Sequence, residues 1–302
     1  MRYEIKMILE DFYHFLKKPY EQFNESISIK QKWTILLSIL LLDFALVFIS
    51  GGIISFINSY LIKLDSNPLE NSLNNKSIIE ILFLVVVLIP FIEELLFRFP
   101  LKYERNLLFQ FFDYLTKNRT KLFWIKNFRF FFYSFATLFA LVHLSNYANN
   151  SILFFIIAPI IILPQFIGGL ALGYIRLRLG FFWGVLQHGI YNFVVFAPLL
   201  LFFNVNTLVD IDNSDFTLQI ESLEFGLDNI SEIKRYQSEI NIDSIIATNY
   251  PLKYIAENLN SSDSTLLKSS TLINLRYINK TNSKDPNELI LIELIKEFNS
   301  KE

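Results

Sequence analysis

The sequence predicts an all-α polytopic membrane helix bundle with a C-terminal small soluble α+β domain, and three observations carry that prediction. Hydrophobic residues make up 52% of the chain, with 32 Phe among 302 residues and a mean hydropathy of +0.37. That is more apolar surface than a water-soluble core of this size needs to bury. Five segments approach the roughly 20 apolar residues that a helix needs to cross about 30 Å of hydrocarbon. Charge also divides the chain: residues 1–203 carry 18 Lys and Arg against 13 Asp and Glu, whereas residues 204–302 carry 9 against 16. A mildly basic membrane part precedes an acidic, polar one.

Three domains follow, at 1–32, 33–203 and 204–302. Residues 1–32 hold six basic and five acidic side chains and no apolar run before Trp33, so they read as a cytoplasmic or interfacial lead-in and not as a signal peptide. His14 falls there and is expected in solvent. The spans are read at 33–58, 77–97, 127–147, 151–173 and 181–203, with a tight turn at 145–150. Pro90, Pro100, Pro159 and Pro164 sit within or beside them and predict kinks, because proline removes a helical donor that neighbouring helices must compensate.

Lys and Arg concentrate in the lead-in, in the 98–129 connection and at Arg176 and Arg178, which places those segments and the N-terminus inside. With five spans the acidic domain would then be extracytoplasmic. In the connection, Leu101, Leu107, Leu108, Phe111, Phe112 and Leu115 interleave with Lys102, Arg105, Asp113 and Lys117 at helical spacing. An interfacial helix and an ordinary linker helix packed on the bundle both fit. The acidic domain opens with Phe216–Glu221, alternating as a half-buried strand does, with a change of phase from Leu223 onward. Pro286 precedes a terminal helical pattern that reaches Phe298.

No cysteine is present, so thiolate nucleophiles, disulfides and Cys metal sites are excluded. Neither a Gly-rich phosphate loop nor a basic nucleic-acid patch is found. What stands out is polar chemistry within apolar segments, where each ionisable group costs at least about 2.5 kcal/mol and calls for a partner or a function.

Glu93 and Glu94 lie near the end of the second span, and Arg98, four residues beyond Glu94, shares its face and can pair with it. Glu93 points about 100° round the helix and is left free to act as a base. Two of the three histidines, His143 and His188, fall in spans. Phe139 precedes His143 by one turn and can wall its imidazole. Asn192 follows His188 by one turn on the same face, and Gly189 between them allows close approach of another backbone. Taken singly, each has a bland reading: a structural ion pair, a helix-to-helix hydrogen bond, interhelical glue. Asp43, in the first span, is read as structural. One shared polar cavity accounts for the set together, and its chemistry would be peptide hydrolysis, with a carboxylate taking a proton from water and imidazole and amide groups stabilising the oxyanion.

The order Glu93-Glu94 with Arg98, then Phe139 with His143, then His188 with Asn192 resembles the type II CAAX prenyl endopeptidases and their bacterial relatives, the CAAX protease and bacteriocin-processing intramembrane proteases. The resemblance covers roughly residues 77–203. It implies a membrane endopeptidase in which Glu93 activates the attacking water, Arg98 anchors Glu94, and His143, His188 and Asn192 complete the site. Zinc, if used, would be held by Glu93, His143 and His188, with a fourth position open to water. The expected surroundings are the lipid bilayer of a bacterial cytoplasmic membrane and a peptide or protein substrate, with no nucleic acid. Two other readings stay open: a non-enzymatic membrane immunity or scaffold protein, and a proton-coupled transporter.

Overall fold

The structure is a computed structural model, and it describes residues 2–21, 26–64, 76–116, 119–202, 205–223, 232–237, 242–263, 266–267, 269, 271–281 and 286–299. These divide into two compact units, one drawn from Met1–Leu69 and Leu82–Val194, the other from Glu70–Ile81 and Val195–Glu302.

In the first unit, helix α1 (Arg2–Lys17) turns Phe12 and Phe15 inward, while His14 is exposed as expected. Its Asp11 accepts a hydrogen bond from Tyr174 at 2.6 Å, and Tyr133 donates to the Leu16 carbonyl at 2.7 Å. The lead-in is therefore docked on the bundle. Helix α2 (Ile29–Tyr60) starts at a capping box, in which Ser28 accepts from the Gln31 amide and the Gln31 side chain accepts from the Ser28 amide. Apolar all round, α2 leaves Phe48, Ile49 and Phe56 largely exposed, as a lipid-facing helix does.

Helix α3 (Ile78–Phe83) runs through a π-helical turn (Leu84–Leu88) into α4 (Ile89–Phe97). Pro90 is the local cause: it has no N–H to return to a carbonyl one turn back, and the widened turn absorbs the loss. After two 3₁₀ turns come α5 (Leu107–Thr116) and α6 (Arg119–Lys126). Leu107, Leu108, Phe111, Phe112 and Leu115 of α5 are all exposed, as the interfacial reading expects. Leu101, grouped with them by spacing, is instead buried in the preceding 3₁₀ turn.

Helices α7 (Phe128–Val142), α8 (Ile152–Ile161), α9 (Leu163–Arg178) and α10 (Phe181–Phe202) complete the helical elements. Pro159 lies within α8 and Pro164 opens α9 after the break at Ile162. Gly169 and Gly173 of α9, four apart, face α7: a Cβ at Gly173 would lie 2.7 Å from the Phe132 ring, and one at Gly169 would lie 3.4 Å from the Ala136 backbone. Small residues at this spacing let two apolar helices approach where water supplies no driving force.

Among the described residues four helical stretches are long and apolar enough to cross a membrane: Ile29–Tyr60, Phe128–Asn146, Ile152–Arg178 and Phe181–Leu201. They correspond to four of the five expected spans. The stretch expected at 77–97 is helical but carries Glu80, Glu93 and Glu94 and is broken by the π turn.

The second unit holds the expected sheet. Strands β1 (Val205–Asp212), β2 (Phe216–Leu223), β3 (Glu232–Gln237), β4 (Ile242–Pro251) and β5 (Leu272–Asn279) pair antiparallel in the order β1-β2-β5-β4-β3. Phe216, Leu218 and Ile220 alternate inward as the sequence indicated, and β2 ends at Leu223; the residues beyond, where the phase change was read, lie outside the described ones. Helices α11 (Leu252–Asn258) and α12 (Pro286–Asn299) bury Leu252, Ile255, Ile290 and Leu294 in the sheet's core.

Candidate active site

All the site residues singled out by the motifs lie in the first unit, on α4, α7 and α10 or, for Arg98 and His143, at the residue that caps α4 and α7. Glu94 and Arg98 are the most buried: the Glu94 side chain is 0% exposed and that of Arg98 1%. Their ion pair is 3.6 Å long, beyond hydrogen-bond reach, so the guanidinium is held as much by what lies beneath it. Its central carbon is 3.7 Å from the Phe139 ring centroid, a cation–π contact. Phe139 is thus a platform: besides carrying Arg98 it meets His143 edge-on at 4.6 Å and His188 at 6.0 Å.

The two histidines converge on Glu93. His143 Nε2 is 3.9 Å from one Glu93 oxygen and His188 Nε2 is 3.4 Å from the other. Glu93 keeps 22% of its side chain exposed, so a small molecule can reach it, while His188 retains only 8%. His143 closes α7, and its Nδ1 lies 2.7 Å from the Phe139 carbonyl. A carbonyl can only accept, so that nitrogen carries the proton and fixes the ring's orientation. His188 Nδ1 faces Glu94 at 3.2 Å. Both nitrogens of His188 therefore look at carboxylates, an arrangement that needs a donor in each direction: an imidazolium, or a proton on one of the acids.

Asn192 is placed differently from the histidines. Its amide donates to the Val85 carbonyl at 2.7 Å, in the π turn. One residue on, a Cβ at Gly189 would lie 2.7 Å from the Val86 carbonyl oxygen, so only glycine permits α10 to approach here. The close approach expected at Gly189 is met by this carbonyl. Pro90 supplies no donor to Val85 or Val86, and Asn192 compensates the first of them. This hydrogen bond ties α10 to the π turn that leads into the helix bearing the two glutamates.

Two further residues shape the site, and the motifs do not contain them. Gly184 on α10 faces Glu94: a Cβ there would lie 3.2 Å from its Oε2. Arg176, read from the sequence only as a marker of topology, is 5% exposed, and its Nε donates to the Arg98 carbonyl at 3.2 Å. Its guanidinium stands over Phe99 and Phe181 at 5.8 and 5.5 Å. It places a second cation at the C-terminal end of the glutamate-bearing helix, where the helix dipole is negative. Its signal was an arginine one turn inside an apolar helix end, a position shared with many ordinary anchors.

Zinc requires ligand atoms about 2.0 Å from a common centre. Among the described residues no three His, Asp or Glu are grouped so as to hold a metal ion. The two histidine Nε2 atoms stand 3.9 and 3.4 Å from the Glu93 oxygens. Asp43 on α2 is buried and stands beside Gly168, not in this cluster.

Carboxylates and imidazoles on three helices, gathered on an aromatic platform in an apolar bundle, follow the order of the motifs. Residues 75–194 match the type II CAAX prenyl endopeptidase family, Rce1-like. The match spans every residue assigned to the site and ends before the sheet. No curated protein and no solved structure matches the chain significantly. The Rce1-like match supports a CAAX-type endopeptidase, and with four membrane-crossing helices it makes the chain an integral membrane protein.

Proposed function

We propose that the chain is an intramembrane endopeptidase that hydrolyses a peptide bond in or near the membrane through water activated directly by Glu93. The observation that carries the reading is the convergence of His143 and His188 on the two oxygens of Glu93. A water held at this carboxylate gives it a proton and attacks the substrate carbonyl carbon. Negative charge gathers on the carbonyl oxygen, and the nearest groups to donate to it are a His188 Nε2–H and, when its ring carries a second proton, His143 Nε2–H. Collapse of the tetrahedral intermediate breaks the carbon–nitrogen bond, and Glu93 returns its proton to the leaving amine. Glu94, Arg98, Phe139 and Arg176 touch no substrate in this scheme. They hold His188 and the helix that carries Glu93.

The test is to incubate purified protein in detergent with a library of membrane-derived peptides and identify new termini by mass spectrometry. Cleavage at recurrent positions, absent when protein is omitted, supports an endopeptidase. A well-folded preparation that produces no new termini from membrane or lipid-anchored peptides contradicts it and favours the immunity or scaffold reading.

A further inference from the structure

A second feature lies on the outer side of α7, away from the glutamates. A shallow, open groove of about 760 Å³ lies along this helix and the end of α6, lined by Lys126, Asn127, Arg129, Phe130, Tyr133, Ser134, Thr137 and Leu138. Ser134 and Thr137 are small among larger neighbours, and that contrast makes the furrow. From Arg129 to Leu138 its residues recur at three- and four-residue steps, so they form one stripe on one face of α7, and Lys126 joins them from the end of α6. From 129 to 138 the stripe rises about 14 Å at 1.5 Å per residue, close to the roughly 15 Å of one leaflet of hydrocarbon.

The two ends differ chemically. Lys126 and Arg129 are both exposed at the start of a membrane-crossing stretch, and among the described residues no ion pair joins either to an acid. Toward Leu138 the lining carries no charge, being formed by Ser134, Thr137 and Leu138. Tyr133 gives the wall rigidity, because its hydroxyl is tied to the Leu16 carbonyl of α1 and its ring lies 5.9 Å from the Arg129 guanidinium. Cations at one end and an uncharged surface strip about one leaflet long are complementary to a molecule with an anionic head and an acyl tail.

We propose that this groove binds one anionic phospholipid, with its phosphate on Lys126 and Arg129 and one acyl chain along Ser134, Thr137 and Leu138. The site is independent of the proteolytic reading, and it gives α7, the helix that carries Phe139 and His143, a lipid-dependent anchor.

Native mass spectrometry of delipidated protein titrated with phosphatidylglycerol, and with phosphatidylcholine of the same chains, tests it. The expected result is a single tight phosphatidylglycerol adduct. Lys126→Ala/Arg129→Ala should weaken it roughly tenfold or more, since each juxtamembrane cation contributes substantially to anionic-lipid affinity. Thr137→Trp should block it, and Lys121→Ala, outside the groove, should leave it unchanged. Melting temperature and helical circular dichroism establish that each variant is folded. Equal binding of the two lipids, wild-type affinity in the folded double variant, or displacement by inorganic phosphate as effective as by lipid would overturn the proposal.

Discussion

The Arg98 guanidinium lies over the Phe139 ring, 3.7 Å from its centroid, while its ion pair with Glu94 is 3.6 Å long. Both partners are buried, so neither charge can fall back on water. Replacing Arg98 with Ala leaves Glu94 as an uncompensated buried charge, a loss of about 3–5 kcal/mol. A steep fall in melting temperature in detergent is the expected outcome. Arg98→Lys keeps the charge but not the planar stacking surface, and its loss should shrink when Phe139 is already Leu. A double-mutant cycle should return a coupling of about 0.5–2 kcal/mol, and a cycle near zero would mean the ring does not hold the cation.

The junction of α10 with the π turn is tight enough to predict its response to one methyl group. Gly189→Ala puts a Cβ 2.7 Å from the Val86 carbonyl and should cost about 1–3 kcal/mol. Asn192→Ala leaves the Val85 carbonyl without its donor, at about 1–3 kcal/mol. Thermal unfolding of the two single variants and the double variant measures both. Strict additivity would argue against a shared junction.

Direct activation by Glu93 predicts that activity survives metal removal. Dialysis against a strong chelator should leave the cleavage rate within about twofold, and added zinc should not raise it. Loss on chelation with recovery on zinc would move the mechanism to a metal-bound water.

In the sheet unit, Lys280 first and Thr217 second hold the Asp212 carboxyl below its usual range, by hydrogen bonds to its side chain. An acid whose folded value is depressed stabilises the fold above its unfolded value, near 3.9. That contribution is lost as pH falls through the lower folded value. Acidification from pH 5 should therefore loosen the β1–β2 turn, and Asp212→Asn should remove that part of the dependence. Backbone amide exchange at 212–217, measured against pH, reads it.

Much of the site was legible because charge in an apolar helix is costly and its spacing is geometric. The i to i+4 step between Glu94 and Arg98 and the turn between Phe139 and His143 fix who meets whom before any fold is known. Pro90 announced a disturbed helix, and the π turn is its form. What the spacing could not give was the partner across helices. Asn192 and His188 share a face, yet one reaches a carbonyl of the π turn and the other reaches two carboxylates. Gly184 and Arg176 act through neighbours that only the packing reveals. The segment at 77–97 is apolar on average, but Glu80, Glu93, Glu94 and the π turn set it apart from the four longer apolar stretches.

The central claim is that Glu93 is the base, and the most direct measurement compares wild type with Glu93→Gln, folded equally in the same detergent, for cleavage of one peptide the wild type cuts. The substitution keeps size and removes only the proton acceptor, so the rate should drop by about 10²–10⁴-fold, the range of general-base contributions. A Glu93→Gln protein that cleaves at the wild-type rate would contradict the account.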